Sequence, residues 1–167
     1  IQKQLLREFK PWAKSSFLPD KIDSELSKIY YNRSYFHQTN PHGNSSVDFD
    51  QDINSFSAML NYLPRASQIA FLAPFPNTWL DNYSSKISNL MHKINGMEML
   101  LIYFFLVGAF LSVFIWNKKI ELWIMLSFSV YYCLFFTYAF PNVGTLIRYR
   151  YAGLMLLVAI GIAAMVT

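Results

Sequence analysis

Two arginines, Arg148 and Arg150, are the residues best suited to chemistry in this 167-residue chain. They stand in the stretch PNVGTLIRYR, directly before an apolar run that begins at Tyr151. A guanidinium group is a planar fork of donors that matches phosphate or carboxylate oxygens. Two cations in the first turn of a helix are unfavourable unless an anion joins them. With Tyr149, they predict a site for the phosphate of a lipid-linked substrate. The alternative is contact with lipid headgroups, or a structural ion pair with Glu98.

Arg65 is a second candidate for contact with the phosphate. It follows Pro64 and precedes residues 70–79 (AFLAPFPNTW), which are strongly apolar, too short to span a membrane and broken by two prolines. Segments of this kind dip into the membrane interface or line a cavity enclosed by protein. A cation beside such a segment needs an anionic partner, although a solvated arginine is the simpler interpretation.

Three aspartates, Asp48, Asp50 and Asp52, alternate with other residues like the start of a calcium loop. An EF-hand loop requires Gly at its sixth position and Glu at its twelfth, where this chain has Ile53 and Met59. Asp48 and Asp50 are therefore weak metal candidates. The stronger prediction is that Asp50 or Asp52 caps the helix that follows.

Cofactor chemistry finds little support elsewhere in the sequence. His37 and His42 are five positions apart, without the Cys or carboxylate cluster that a metal site needs. The single Cys133 lies inside an apolar run and has no partner for an intrachain disulfide, so a packing role is expected. The sequence identifies no cofactor and no catalytic residue, and it gives a divalent metal no support.

Three apolar runs in the second half of the chain must position these residues. They cover residues 97–116, 122–140 and 151–167. A helix of about 18 or more apolar residues crosses the hydrocarbon core and pairs its own backbone amides there. We therefore predict an all-α membrane protein with three transmembrane helices. The break at residues 117–121 predicts that the first two spans are antiparallel neighbours, approaching closely at Gly108.

The preceding residues 1–96 are predicted to form a helical, loop-rich segment at the membrane surface. The apolar spacing indicates short helices at residues 24–31 and 51–63 and an amphipathic helix at residues 80–95. Pro64 interrupts the second of these, and a short helix is expected to resume over residues 65–71. Turn-forming residues predict a loop over residues 32–52.

The composition narrows the class of protein further. Hydrophobic residues make up 54% of the chain and charged residues only 14%, which suits a protein partnered by membrane lipids. The net charge of +4 is small and scattered, so nucleic acid is not expected as a partner. The spans contain neither proline nor a charge at mid-membrane, which counts against an ion-coupled transporter.

The order of three motifs resembles the carboxy-terminal half of bacterial multi-pass proteins of cell-surface polysaccharide assembly. The motifs are YLPRASQIAFLAPFPNTW, Glu98 at the start of a span, and NVGTLIRYR before a final span. The resemblance covers residues 61–167 and is to GT-C-type glycosyltransferases and O-antigen polymerases. It implies an integral inner-membrane protein that handles a polyprenyl-phosphate-linked sugar or oligosaccharide. Arg65, Arg148 and Arg150 would lie near that glycan.

The resemblance also implies that further spans, and the catalytic residues, lie upstream of Ile1. It places residues 1–96 in the periplasm, whereas the count of Lys and Arg beside the spans places them in the cytoplasm. Whether the protein is an enzyme, as a glycosyltransferase or polymerase fragment, stays open. The alternative is a non-catalytic scaffold or partner-binding subunit of an envelope membrane complex.

Overall fold

The protein is built from α-helices throughout the part of the chain that the computed structural model describes. That part comprises residues 10–39, 47–48, 51–76, 79 and 86–167, without the side chains of residues 86–88 and 92. The helices are α1 (Asp20–Thr39), α2 (Phe56–Leu72), α3 (Lys86–Ile115), α4 (Ile120–Ala139) and α5 (Val143–Val166). Helices α3, α4 and α5 are long and apolar enough to cross a membrane. The predicted fold class is confirmed.

The third membrane helix begins earlier than the sequence indicates. Helix α5 starts at Val143 rather than at residue 151, and Asn142 caps it by accepting a hydrogen bond from the Thr145 amide at 3.2 Å. Residues 143–150, which the sequence assigns to the connection before the span, are therefore part of the helix. Arg148 and Arg150 lie in its second turn, where the field of the helix dipole has already weakened.

Helix α5 is the centre of the membrane bundle and packs against both α3 and α4. Small residues allow the approach between α3 and α5. A side chain on Gly161 would overlap the backbone carbonyl of Phe105, and a Cβ on Gly108 would lie 2.6 Å from the Gly161 carbonyl oxygen. Gly108 thus serves contact with the third span rather than the predicted contact with the second.

Helices α1 and α2 pack on the carboxy-terminal end of α4. The Tyr138 hydroxyl donates to the Met59 carbonyl at 2.7 Å, and the rings of Tyr62 and Tyr138 meet edge to face. Phe36 of α1 makes a similar contact with Phe140. The two helices and the end of the bundle therefore share a single hydrophobic core.

Three local predictions about α1 and α2 are wrong. Helix α1 runs to Thr39, through the first part of the segment predicted as a loop. Helix α2 continues through Pro64, which lies on its exposed side, where the missing backbone hydrogen bond is not buried. The cap of α2 is Ser55, whose hydroxyl accepts from the Ala58 amide at 3.2 Å, and not Asp50 or Asp52.

The amphipathic helix and the first span are one continuous helix. Helix α3 passes through Gly96 without a break, and the indole of Trp79 packs against this glycine, where a Cβ would stand 2.9 Å from it. The predicted residues 80–85 of that helix lie outside the described part of the chain.

Candidate functional site

Arg150 is buried and binds the end of α2. Its side chain is 1% exposed. One terminal nitrogen donates to the Ile69 carbonyl at 2.5 Å and to the Ala70 carbonyl at 2.8 Å, and the other donates to the Ala73 carbonyl. Arg150 therefore connects α5 to the end of α2, which lies 77 to 81 positions earlier in the sequence.

These hydrogen bonds satisfy backbone carbonyl groups at the carboxy-terminal end of α2. The last carbonyls of a helix have no partner within the helix, and they form the negative end of its dipole. Because this site is buried within the protein, water is not available to satisfy them. The guanidinium of Arg150 supplies both donors and positive charge. A phosphate could be bound by Arg150, as predicted, only if these carbonyls were released.

Arg148 is exposed and points elsewhere. Two residues along an α-helix correspond to a rotation of about 200°, so Arg148 and Arg150 lie on opposite sides of α5. Between them, the Tyr149 ring stacks on Phe136 and Phe140, each at a centroid distance of 5.2 Å. The predicted site residues Arg148, Tyr149 and Arg150 are neighbours in sequence but have three different surroundings.

Glu98 contacts the same helix through a hydroxyl group. Its carboxylate accepts a hydrogen bond from the Tyr151 hydroxyl at 2.7 Å, which ties α3 to α5. The ion pairs among the described residues are Lys14–Asp20, Lys28–Glu25 and Arg65–Asp48. The predicted pairing of Glu98 with an arginine of α5 is not among them.

Arg65, unlike Glu98, forms an ion pair, and its contact with Asp48 is bidentate. The Nε atom lies 3.0 Å from Oδ2, and a terminal nitrogen lies 3.1 Å from Oδ1. Asp48 also accepts a hydrogen bond from the Tyr62 hydroxyl at 2.9 Å. The guanidinium of Arg65 stands 5.3 Å from the centre of the Phe75 ring. Asp48 is thus held by an arginine and a tyrosine of α2 and not by a cluster of metal-ligating side chains.

Arg33, which the sequence analysis does not identify as a site residue, is buried on the ring of Tyr62. It is 2% exposed, and its guanidinium lies 5.3 Å from the centre of the Tyr62 ring. One terminal nitrogen donates to the Thr137 carbonyl at 3.4 Å, while its Nε and other terminal nitrogen have no hydrogen-bond partner among the described residues. The sequence holds no signal for this position, because it falls where a loop is predicted.

The surroundings of Asp48 and Tyr62, which lie between Arg33 and Arg65, shift the pKa values of both groups. Burial alone would raise the pKa of Asp48, but hydrogen bonds from Arg65 and Tyr62 and the charges of Arg65 and Arg33 outweigh it, so this pKa is lowered. Burial, and then the neighbouring Asp48, raise the pKa of Tyr62 to about 12. Asp48 is therefore ionised and Tyr62 neutral at physiological pH.

An open polar cleft of about 380 Å³ lies beside the pair. Its polar lining residues are Asp48, Gln51, Asp52, Asn61, Tyr62 and Arg65. Amide, carboxylate and guanidinium groups are suited to hydrogen bonds with hydroxyl-rich or anionic ligands. Within the described residues, no group of three His, Cys, Asp or Glu side chains could hold a metal ion. Asp50 and His42 lie outside those residues.

The ion pair gives a prediction for pH dependence. A carboxyl group whose pKa is lowered by folding stabilises the protein above its ordinary pKa, 3.8 for Asp48, and this stabilisation is lost as pH falls through the lowered value. The effect should stay below about 1 kcal/mol, since the Arg65 side chain is 44% exposed. We expect Asp48→Asn to flatten the fall in thermal stability below about pH 4. An unchanged acid profile in Asp48→Asn would contradict this.

The described residues form an integral membrane protein in which α1 and α2 pack on a bundle of three helices that are long and apolar enough to cross a membrane. Comparison of the sequence with protein-family models, with curated proteins and with solved structures finds no match.

Proposed function

We propose that this chain is part of an integral membrane protein of bacterial envelope glycan assembly, which handles a polyprenyl-phosphate-linked sugar or oligosaccharide. The observation that carries the proposal is the polar cleft beside Arg65 and Asp48, built directly on the end of a membrane-crossing helix. A lipid-linked glycan has its sugar in water, its phosphate at the boundary and its chain in lipid. A cleft rich in amides and carboxylates at that boundary suits the sugar.

Within this proposal, the arginines have different roles. Arg148, which is exposed at the start of α5, contacts the phosphate. Arg65 contacts the glycan or its phosphate from the cleft. Asp48 orients the Arg65 guanidinium through the bidentate ion pair. Arg150 is a positioning residue, because its donors hold α2, the wall of the cleft, against the bundle.

The proposal includes location in the inner membrane, with residues 1–96 facing the periplasm, and upstream spans of the same chain as partners. No residue is assigned to catalysis. If the protein is a transferase or polymerase, this chain supplies substrate binding.

The test is binding of a polyprenyl phosphate by the full chain in lipid nanodiscs, compared with the matching polyprenol. The wild-type protein should prefer the phosphate. Arg148→Gln should reduce that preference about tenfold, as expected for the loss of one charged contact of about 1.4 kcal/mol. The control is Lys118→Gln, which removes an exposed cation from the turn between α3 and α4. Equal affinity for phosphate and polyprenol, or equal loss in both variants, would refute the proposal.

A non-catalytic scaffold is the second candidate, favoured by the exposed aromatic face of α3. Phe110 and Phe114, 65% and 66% exposed, lie one turn apart on the same side of this helix with their rings in contact, and Phe104 is also 60% exposed. Such a face suits packing against another membrane helix as well as lipid. Site-specific crosslinking from Phe110 to a partner protein in native membranes, without polyprenyl phosphate binding, would favour the scaffold.

A further inference from the structure

An apolar groove of about 800 Å³ lies on the other side of α2 from the polar cleft, between α1, α2 and α4. Its apolar walls include Phe56, Leu60 and Leu63 of α2 and Tyr131, Leu134 and Phe135 of α4. On each helix these residues follow the spacing of one helical face. Its volume is in the range of pockets that enclose small organic ligands.

The wall formed by α4 belongs to a membrane-crossing helix. From Tyr131 to Ala139 the groove follows α4 for nine residues, whose eight steps rise about 12 Å along an α-helix. Tyr131 is 67% exposed and Leu60 on the facing wall is 51% exposed. The groove therefore extends from the membrane boundary into the depth that acyl chains occupy.

The rim formed by α1 is charged. Lys21, Glu25 and Lys28 line the groove at positions i, i+4 and i+7, so they share one face of α1. Lys28 pairs with Glu25 at 2.6 Å, and Lys21 belongs to none of the ion pairs found among the described residues. The rim carries a net charge of +1 and lines the same groove as the apolar walls, which complements an anion joined to an apolar chain.

We propose that this groove binds one anionic phospholipid of the surrounding bilayer, with an acyl chain between α2 and α4 and its phosphate at Lys21 and Lys28. A protein helix laid across the groove would bury these lysines away from water, which is costly without counter-charges. A lipid phosphate neutralises them while its chain covers the apolar walls. This inference does not depend on the proposed glycan function, which uses the opposite side of α2.

Native mass spectrometry of the full chain tests the headgroup contact. The protein in mild detergent is incubated with equal amounts of phosphatidylglycerol and phosphatidylcholine that carry the same acyl chains. We expect one retained phosphatidylglycerol per chain. The double variant Lys21→Glu, Lys28→Glu should lower that adduct about tenfold or more, since each basic residue near anionic lipid contributes about one factor of five. The control, Lys118→Glu with Lys119→Glu, reverses two exposed cations at the α3–α4 turn and should leave the adduct unchanged.

A second pair of variants tests the chain-binding walls. Leu60→Trp adds bulk in the groove, whereas Leu100→Trp adds it on α3, where Leu100 is 56% exposed outside the groove. Only Leu60→Trp should reduce the retained lipid. Equal retention of the two lipids, equal effects of groove and control variants, or a wild-type dimer that excludes lipid would overturn the proposal. Because the lysines are exposed, their variants keep the test decisive if Leu60→Trp fails to fold.

Discussion

Replacing Arg150 with methionine should destabilise the protein by about 3 kcal/mol or more, because the carbonyls at the end of α2 would lose their charged donor inside a buried site. Methionine retains much of the apolar stem of arginine, so lost hydrogen bonds rather than lost volume would dominate. The measurement is unfolding of the detergent-solubilised protein, by heat or by a rising fraction of denaturing detergent. Residues 56–72 should also become accessible to protease before the bundle unfolds.

The matched control is Arg148→Met, two positions away on the exposed side of α5, which should change stability by no more than about 0.5 kcal/mol. Arg150→Lys should fall between wild type and Arg150→Met, since one ammonium cannot reach three carbonyls with the geometry of a planar fork. If Arg150→Met were as stable as Arg148→Met but lost binding of polyprenyl phosphate, Arg150 would be the phosphate ligand that the sequence suggests.

Replacing Gly161 with leucine should separate α3 from α5 and destabilise the bundle by about 3 kcal/mol, at the upper end of the cost of overpacking a core. The space beside Gly161 is filled by the backbone of Phe105, which cannot move aside as a flexible side chain could. The midpoint of denaturation gives the size of the effect. Crosslinking between cysteines introduced on the lipid-facing sides of α3 and α5 would report the separation.

Gly144→Ala is the control for this prediction. Gly144 is exposed in the first turn of α5, and a Cβ there meets only the side chain of Asn142, at 3.3 Å. Alanine favours helix by up to about 1 kcal/mol over glycine, so this variant should be neutral or slightly stabilising. A tolerated Gly161→Leu would mean that α3 and α5 can separate at little cost in free energy.

The membrane helices follow from the sequence, because an uncharged apolar run of that length is stable in lipid only as a helix that crosses it. The start of α5 does not follow, for a specific reason. Two arginines directly before an apolar run indicate that they lie at the exposed start of the helix and that its membrane-spanning part begins after them. Arg150 can instead lie inside the fold, since its two terminal nitrogens donate hydrogen bonds to carbonyls at the end of α2. A buried charge with a distant partner is indistinguishable in sequence from a solvated one.

The candidate site is predictable only where a single residue stands out locally. Arg65 is conspicuous beside Pro64, but the sequence pairs its partner Asp48 with Asp50 as a weak metal site. Arg33 carries no local signal, since the groups it meets, Tyr62 and Thr137, are contributed by other helices far along the chain. Long-range contacts of this kind do not follow from local periodicity, which describes one helix at a time.

The cap on α2 also has a consequence for biogenesis. The ribosome synthesises residues 56–72 well before residue 150. The carbonyls at the end of α2 therefore have no guanidinium donor until α5 has been made. Insertion of that helix supplies the cation that docks α2. A nascent chain stalled before α5 would therefore expose α2 undocked, with unpaired carbonyls at its end. Membrane quality-control proteases act on exposed features of this kind.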